Sequence, residues 1–303
     1  MIETATKIYR ASGKLMFFGE YMVLKGAPCL AIPLRYGQTL QVEEMNLPGV
    51  EWESYELDRP WFSAVLDKNL QMIRTSDVEK ADVLMNLLTI IKEQAPELFE
   101  KGLRFKAQSD FNLQWGFGSS STLVSLLAQW SGVDAYHILE HSFGGSGYDI
   151  ACATAEQPIT YKVEDRSTKN VEIAPEITSN LLFIYSGNKQ NSRNEIRRFA
   201  QRETSAEDVK QIETFIQQSL SAKTIVEFEM QLNASEHLLS EILGMQPLKE
   251  MHFSDYPYTI KSLGAWGGDF FMATFRDEQE AKTYFKEKGY NTILRYDEVV
   301  YSN

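Results

Sequence analysis

The feature that most constrains this chain is a run of glycine and hydroxyl residues directly before a helical pattern. The run is Gly116-Phe117-Gly118-Ser119-Ser120-Ser121-Thr122, and apolar residues follow at positions 123, 126, 127 and 130. This spacing predicts a helix over residues 120–130. Glycines let a ligand approach the backbone, and the first N–H groups of a helix lack internal partners, so the run suits a bound anion. It is equally compatible with a helix start that Ser119 merely caps.

Length, charge and cysteine usage limit the class of protein. The chain has 303 residues, which predicts two domains. Its 30 basic and 42 acidic residues give a net charge of −12, which argues against nucleic acid as a partner. Cys29 and Cys152 lie in apolar surroundings without metal-ligand spacing, which indicates reduced thiols and a cytoplasmic location. No signal-peptide core or apolar run of about 18 residues is found, so we expect neither secretion nor membrane insertion.

The chain alternates predicted strands and helices, which is typical of a mixed α and β protein. Strands are predicted near 29–36, 39–43, 103–108, 158–163, 181–185 and 270–275. Helices are predicted over 82–94, 120–130, 207–220, 224–243 and 277–288. A polar stretch at 186–194 predicts a boundary between domains 1–186 and 187–303. The acidic segment 46–59, which contains a proline and a glycine, is predicted to be a surface excursion.

Three further glycine-containing segments carry charged side chains. They are Ser12-Gly13-Lys14 with Gly19-Glu20-Tyr21, then Gly144-Gly145-Ser146-Gly147-Tyr148-Asp149, and Lys261-Ser262-Leu263-Gly264-Ala265-Trp266-Gly267-Gly268-Asp269. Taken singly, Lys14 at a strand end is compatible with a solvated charge and Asp149 with a helix cap. The last segment is compatible with a hairpin turn or with close approach of backbone to a ligand.

Together and in this order, the four segments resemble the motifs of the GHMP kinase superfamily. Its members use ATP to phosphorylate galactose, homoserine, mevalonate and phosphomevalonate. The resemblance covers nearly the whole chain, and four ordered motifs are far more specific than one loop. It implies an α+β fold, the GHMP kinase fold, in which an N-terminal lobe similar to domain 2 of ribosomal protein S5 is joined to a ferredoxin-like C-terminal lobe.

The resemblance also implies roles for individual residues. The residues that would bind the phosphates of ATP are Gly116, Gly118, Ser119, Ser120 and Ser121. The hydroxyl of Ser120 would bind Mg²⁺, with Glu140 either a second ligand or an exposed acid on a helix. Asp149 would accept or orient the proton of the acceptor, and Lys14 would lie near it and near the γ-phosphate.

The acceptor is a small molecule whose identity the motifs leave open. The residues that the resemblance assigns to it are Glu20, Tyr21, Ser146, Gly147, Lys189, Ser192, Gly264 and Gly267. The sequence Gly19-Glu20-Tyr21 is more similar to phosphomevalonate kinases than to mevalonate kinases. The cations Lys7, Arg10, Lys189, Arg193 and Lys261 are available for a phosphorylated acceptor, although solvated surface is the simpler interpretation for most of them.

Departures from the family pattern keep other functions open. Trp266 stands where the family usually has a small residue, and Phe117 where leucine is common. The alternatives are a mevalonate kinase, a sugar or homoserine kinase, a lyase similar to diphosphomevalonate decarboxylase, and a non-catalytic nucleotide-binding relative. We expect a small-molecule acceptor and ATP as partners, no nucleic acid or membrane, and a monomer or homodimer.

Overall fold

The structure is a computed structural model and describes residues 6–187, 199–264, 266 and 268–300. The chain forms two compact units, each built from discontinuous segments. Unit 1 contains residues 6–13, Tyr36–Leu113 and Phe117–Thr154; unit 2 contains Lys14–Arg35, Gln114–Gly116 and the described residues from Ala155 onward. Strands β1 (Lys7–Phe18) and β2 (Cys29–Met45) each run from one unit into the other. The division into 1–186 and 187–303 stays a prediction.

Unit 1 is a sheet covered by helices. Its other strands are β3 (Val50–Glu56), β4 (Arg59–Leu66), β5 (Met72–Thr75) and β6 (Gly102–Ser109). The strand order is β5-β4-β3-β6-β2, in which β3 and β6 are parallel and the other neighbours are antiparallel. The helices are α1 (Val78–Gln94), α2 (Ser119–Ser131), α3 (Ala135–Glu140) and α4 (Tyr148–Ala153). Both α3 and α4 pack against α2, so the helix that follows the Gly-Ser run is held within the core of the unit.

Strand β3 corrects the expectation that residues 46–59 form a surface excursion. It lies inside the sheet, between β4 and β6. Val50, Trp52 and Ser54 are buried, whereas Glu51 and Glu53 on the opposite face are not. The period-2 alternation of a half-buried strand is therefore present, but the acidic outer face gave the segment the composition of a loop.

Strand β2 joins two segments that were predicted as separate strands. Gly37 lies where they meet, and a Cβ atom there would overlap the carbonyl oxygen of Ala11. The glycine therefore permits close approach of two backbones within an unbroken strand instead of ending it.

Unit 2 contains a second, four-stranded antiparallel sheet. Its strands are β9 (Leu181–Tyr185), β10 (Ile260–Ser262), β11 (Phe270–Thr274) and β12 (Ile293–Arg295), in the order β10-β11-β9-β12. Two short strands, β7 (Ile159–Tyr161) and β8 (Thr168–Asn170), extend the first sheet from β2. The helices are α5 (Pro175–Thr178), α6 (Ala206–Ser221), α7 (Ile225–Leu243), α8 (Leu248–His252), α9 (Glu278–Glu287) and α10 (Tyr296–Val299). The predicted α+β class is confirmed.

The long helices begin and end where local chemistry requires. Ser205 and Thr224 form capping boxes with the third helical residues of α6 and α7, and Gly244 in the left-handed region ends α7. These boundaries lie within one residue of the predicted ones. Helix α1 starts four residues earlier than predicted because Asp77 caps it. Cys29 and Cys152 are buried as expected. Among the described residues, no helix has the length and apolar character needed to cross a membrane.

The two tryptophans of the β3–β4 hairpin provide a matched test of this architecture. Trp52 is 2% exposed and packs against Phe105, whereas Trp61 is 39% exposed. We expect Trp52→Ala to lower the free energy of unfolding by about 3–5 kcal/mol. Trp61→Ala should lower it by less than about 1 kcal/mol. Urea denaturation followed by circular dichroism measures both, and equal effects would contradict the central position of β3.

Candidate functional site

The start of α2 exposes backbone donors in unit 1. Gly118 is the N-cap residue, with φ 87°, and as a glycine it has no side chain that could cap the helix. The N–H of Thr122 bonds to the carbonyl of Gly118 at 3.0 Å, so the N–H groups of residues 119–121 have no carbonyl acceptor within the helix. The interpretation of Ser119 as a cap is therefore wrong, since the helix begins at Ser119 itself.

Buried side chains hold the first turn of α2 in place. The side-chain amide of Gln38 donates to the carbonyl of Ser119 and to Oγ1 of Thr122, both at 2.9 Å. Phe117 is fully buried, with its ring 5.8 Å from that of Tyr36. Ser120, in contrast, is exposed. The first turn of α2 is thus held by buried contacts. It exposes N–H groups and a hydroxyl, which are the groups that bind an anion at a helix N-terminus.

Two predicted acidic residues lie on the helices that pack against α2. Asp149 is in the first turn of α4, whose N-cap is Gly147 with φ 81°, and it is partly buried. It is therefore a residue within the helix and not its cap. Ser146 is partly buried and precedes that cap. Glu140 is the last residue of α3 and is exposed.

The acidic residues do not form a protein-only metal site. Across the part of the chain that the structure describes, no group of three or more histidine, cysteine, aspartate or glutamate side chains could hold a metal ion. Mg²⁺ is commonly bound by one or two protein oxygens together with substrate phosphates and water. The exposed Ser120 hydroxyl beside open helix N–H groups fits that mode of binding.

Lys14 contacts the first glycine of the Gly-Ser run, within unit 2. Its Nζ donates to the carbonyl of Gly116 at 3.4 Å, and the side chain is partly buried. Lys14 lies in the interior of β1 and not at a strand end, which corrects the prediction. Gly116 has φ 67°, and a Cβ atom there would overlap the carboxylate of Asp269. Only glycine fits between the third glycine-rich segment and the run that leads to α2.

A buried ionic cluster contains Glu20, which was predicted to bind the acceptor. Nζ of Lys261 lies 2.6 Å from Oε1 of Glu20 and 3.2 Å from Oε1 of Glu236. The side chains are 0%, 1% and 5% exposed, respectively. Lys261 is therefore not solvated surface.

Burial governs the ionisation of this cluster. It raises the pKa of Glu20 to about 7, against the opposing effect of Lys261. It also raises the pKa of Glu236. For Lys261, burial favours the neutral form, but the two carboxylates outweigh it and raise the pKa. Two acids sharing one ammonium in a buried site favour retention of one carboxyl proton near neutral pH.

Tyr21 holds the third glycine-rich segment. Its hydroxyl accepts a hydrogen bond from the backbone N–H of Trp266 at 2.9 Å, and its ring lies 5.2 Å from that of Phe199. Trp266 is 3% exposed, and Gly264 is partly buried with φ 69°. Lys189, Ser192, Arg193 and Gly267 lie outside the described residues.

Sequence reasoning missed three residues that shape these sites: Gln38, Glu236 and Asp269. Glu236 had a visible signal, since it interrupts the apolar stripe formed by Leu232 and Leu239 on α7. Gln38 likewise occupies a buried position in β2. A polar residue on an apolar face is expected to have a buried partner, but periodicity does not identify that partner.

Comparison with solved structures identifies the fold of the chain. The structure is similar to the mevalonate kinase of Methanococcus jannaschii, with a TM-score of 0.73 and 17% identity over 99% of this chain and 100% of that one. It is similar to a Streptococcus pneumoniae phosphomevalonate kinase in complex with phosphomevalonate and AMPPNP (TM-score 0.70, 17% identity, 95% and 99% coverage). It also matches a mevalonate pyrophosphate decarboxylase from Streptococcus pyogenes (TM-score 0.57, 12% identity, 97% and 96% coverage). No protein-family model and no curated protein matches the chain. The chain has the GHMP kinase fold that the motifs implied.

The raised pKa of Glu20 predicts a pH-dependent stability. The folded protein binds more protons than the unfolded chain between the ordinary glutamate pKa of 4.5 and about 7, so stability falls as pH rises through this window. A tenfold change in proton affinity corresponds to about 1.4 kcal/mol, so the free energy of unfolding should fall by about 3 kcal/mol across this window. Urea unfolding across this range should show that Glu20→Gln flattens the decline. Glu229→Gln, which removes a different acid of unit 2, is the control and should leave the decline intact.

Proposed function

We propose that this chain is an ATP-dependent small-molecule kinase. The observation that carries the proposal is the start of α2, where a left-handed glycine cap leaves the N–H groups of residues 119–121 available for an anion. The phosphate tail of ATP fits such a site. The GHMP kinase fold supports this assignment, because a phosphomevalonate kinase of the same fold was solved with AMPPNP.

The residues around the start of α2 have different roles in phosphate binding. Gly116 and Gly118 permit close approach, and the N–H groups of Ser119, Ser120 and Ser121 donate to the phosphates. The Ser120 hydroxyl, with Glu140 as a second candidate, would hold Mg²⁺. The ion would neutralise charge on the transferred phosphoryl group. Gln38 and Phe117 keep the donors in place, since both are buried against the backbone of this turn.

Asp149 and Lys14 have the chemistry to act on the acceptor and the γ-phosphate. Asp149, in the first turn of α4, would accept or orient the proton of the acceptor. Lys14 would stabilise negative charge on the transferred group. Phosphoryl transfer proceeds through a loose, anionic transition state, so positioning and charge stabilisation supply most of the rate enhancement.

We infer that the acceptor is phosphomevalonate. The Gly19-Glu20-Tyr21 sequence resembles that of phosphomevalonate kinases, and one such enzyme shares this fold. Mevalonate, homoserine and sugars are the alternatives. A decarboxylase with the same fold supports a second candidate function, ATP-dependent decarboxylation of a diphosphorylated acid. Both reactions would use the nucleotide site that we propose at the start of α2.

Substitution of the two candidate catalytic residues tests the mechanism. Asp149→Asn and Lys14→Met should each lower kcat by about 10²–10⁴-fold, because each removes a group that acts on the transferring phosphate or on the proton. Asp82→Asn and Lys106→Met are matched controls in charge and should retain turnover. Thermal unfolding verifies that all four variants fold. Turnover equal to wild type in a folded Asp149→Asn protein would remove Asp149 from the mechanism.

A coupled assay of ADP release identifies the reaction. Mg²⁺-ATP is supplied with phosphomevalonate, mevalonate, diphosphomevalonate, homoserine or a sugar, and carbon dioxide is measured in parallel. The proposal predicts acceptor-dependent ADP release with phosphomevalonate and no carbon dioxide. Activity on a sugar alone would contradict the mevalonate-pathway assignment. Carbon dioxide from diphosphomevalonate would establish the lyase. ATP binding without turnover on any acceptor would indicate a non-catalytic relative.

A further inference from the structure

Residues 19–21 contact the third glycine-rich segment at two points. We call residues 263–269 the third turn; it joins the antiparallel strands β10 and β11. Lys261 precedes it by two residues and is bound by Glu20. Trp266 lies in the middle of it, and its backbone N–H is bound by the Tyr21 hydroxyl. Both contacts are buried, and both come from neighbouring residues of one short segment.

The segment that makes these contacts is itself fixed. Gly19 has φ 95°, and a Cβ atom there would overlap the backbone of Pro28 and Cys29. The carbonyls of Gly19 and Glu20 accept hydrogen bonds from Val23 and Met22, at 2.9 and 2.6 Å. Tyr21 has φ 60°, a conformation that is costly for a non-glycine residue and therefore needs support from its surroundings. The segment is thus a rigid support for whatever its side chains hold.

The third turn leads to the glycine-serine run through contacts within unit 2. Asp269, at the end of the turn, lies directly against Gly116. The Ser186 side chain donates to the carbonyl of Gly268 at 2.7 Å, and its backbone N–H donates to that of Asp269 at 2.8 Å. A shift of the third turn would therefore move Asp269 away from Gly116. The carbonyl of Gly116 also accepts a hydrogen bond from Lys14.

We propose that Glu20 and Tyr21 are positioning residues that hold the third turn in register with Gly116, through Lys261 and the Trp266 N–H. This inference rests on the proposed kinase function and replaces the expectation that the two side chains bind the acceptor. Glu20 and Tyr21 are buried and already bonded to other residues of unit 2, which is the arrangement of a support and not of a ligand-facing group.

The ionic cluster makes the support sensitive to pH. The titratable groups that act on Glu20 are Lys261 of β10 and Glu236 of α7. Oε2 of Glu20 and Oε2 of Glu236 are buried without a hydrogen-bond partner among the described residues. When both acids are ionised, the cluster carries one excess buried negative charge, which is costly in the interior and destabilises the buried arrangement around Lys261. We expect the third turn to loosen as pH rises through about 7.

Hydrogen exchange of the peptide over residues 263–270 tests the proposal without any assay of activity. In wild type, protection should fall with rising pH by more than the intrinsic pH dependence of exchange, and Glu20→Gln should abolish that excess. Tyr21→Phe should speed exchange in this peptide about fivefold at every pH, through loss of one hydrogen bond. Tyr256→Phe, which loses a buried hydrogen bond to Thr274 in the same unit, is the control and should leave the peptide unchanged.

Enzyme kinetics then distinguish a positioning role of Tyr21 from a role in binding the acceptor. If the kinase is active, Tyr21→Phe should raise the KM for Mg²⁺-ATP about fivefold, with acceptor KM and kcat changed little. A raised acceptor KM together with unchanged exchange over 263–270 would overturn the proposal and restore the acceptor-binding role. Unchanged exchange in Tyr21→Phe and Glu20→Gln would overturn it even if no acceptor were found. Failure of the kinase assay alone would count against the proposed function only.

Discussion

A single buried ammonium group shared by two buried carboxylates is the constraint on which unit 2 depends most. Lys261 and Glu20 are separated by 241 positions in the sequence and are 2.6 Å apart in space. Burial of an unpaired charge is expensive, and removal of one partner of a buried ion pair typically costs about 3–5 kcal/mol. The segment that follows β1 and strand β10 therefore stay together, and Glu236 fixes α7 against both. The cluster specifies one arrangement of three distant segments.

Buried contacts also explain how a well-packed helix keeps an open anion site. In unit 1, the side chains below the first turn of α2 are buried, and Gln38 satisfies a carbonyl and a hydroxyl of that turn. In unit 2, Gly116 has no room for a side chain because Asp269 occupies the space. Both ends of the run are thus fixed by close packing, while Ser120 stays exposed. A site with fixed donors loses little entropy when it binds, which favours catalysis by positioning.

Much of this architecture was predictable from local patterns, and the exceptions have physical causes. Helices α6 and α7 follow from apolar periodicity and capping residues, so their boundaries were predicted within one residue. Strand β3 was missed because its acidic outer face outweighed the alternation of Val50 and Trp52. The burial of Lys261 depends on partners far away in the sequence, and no local pattern reports them. For the same reason the motif residues were recognised, but the contacts of Glu20 and Tyr21 were not.

The proposed kinase function requires the N–H groups at the start of α2 to bind the phosphates of ATP. Hydrogen exchange of the wild-type protein with and without Mg²⁺ and AMPPNP measures this directly, because the amides of residues 119–121 have no carbonyl acceptor within the helix and a bound phosphate would slow their exchange. We expect the nucleotide to slow exchange over residues 117–122 and to leave the amides of β3 and β4 unchanged. Nucleotide binding that protects other segments and leaves residues 117–122 unchanged would contradict it.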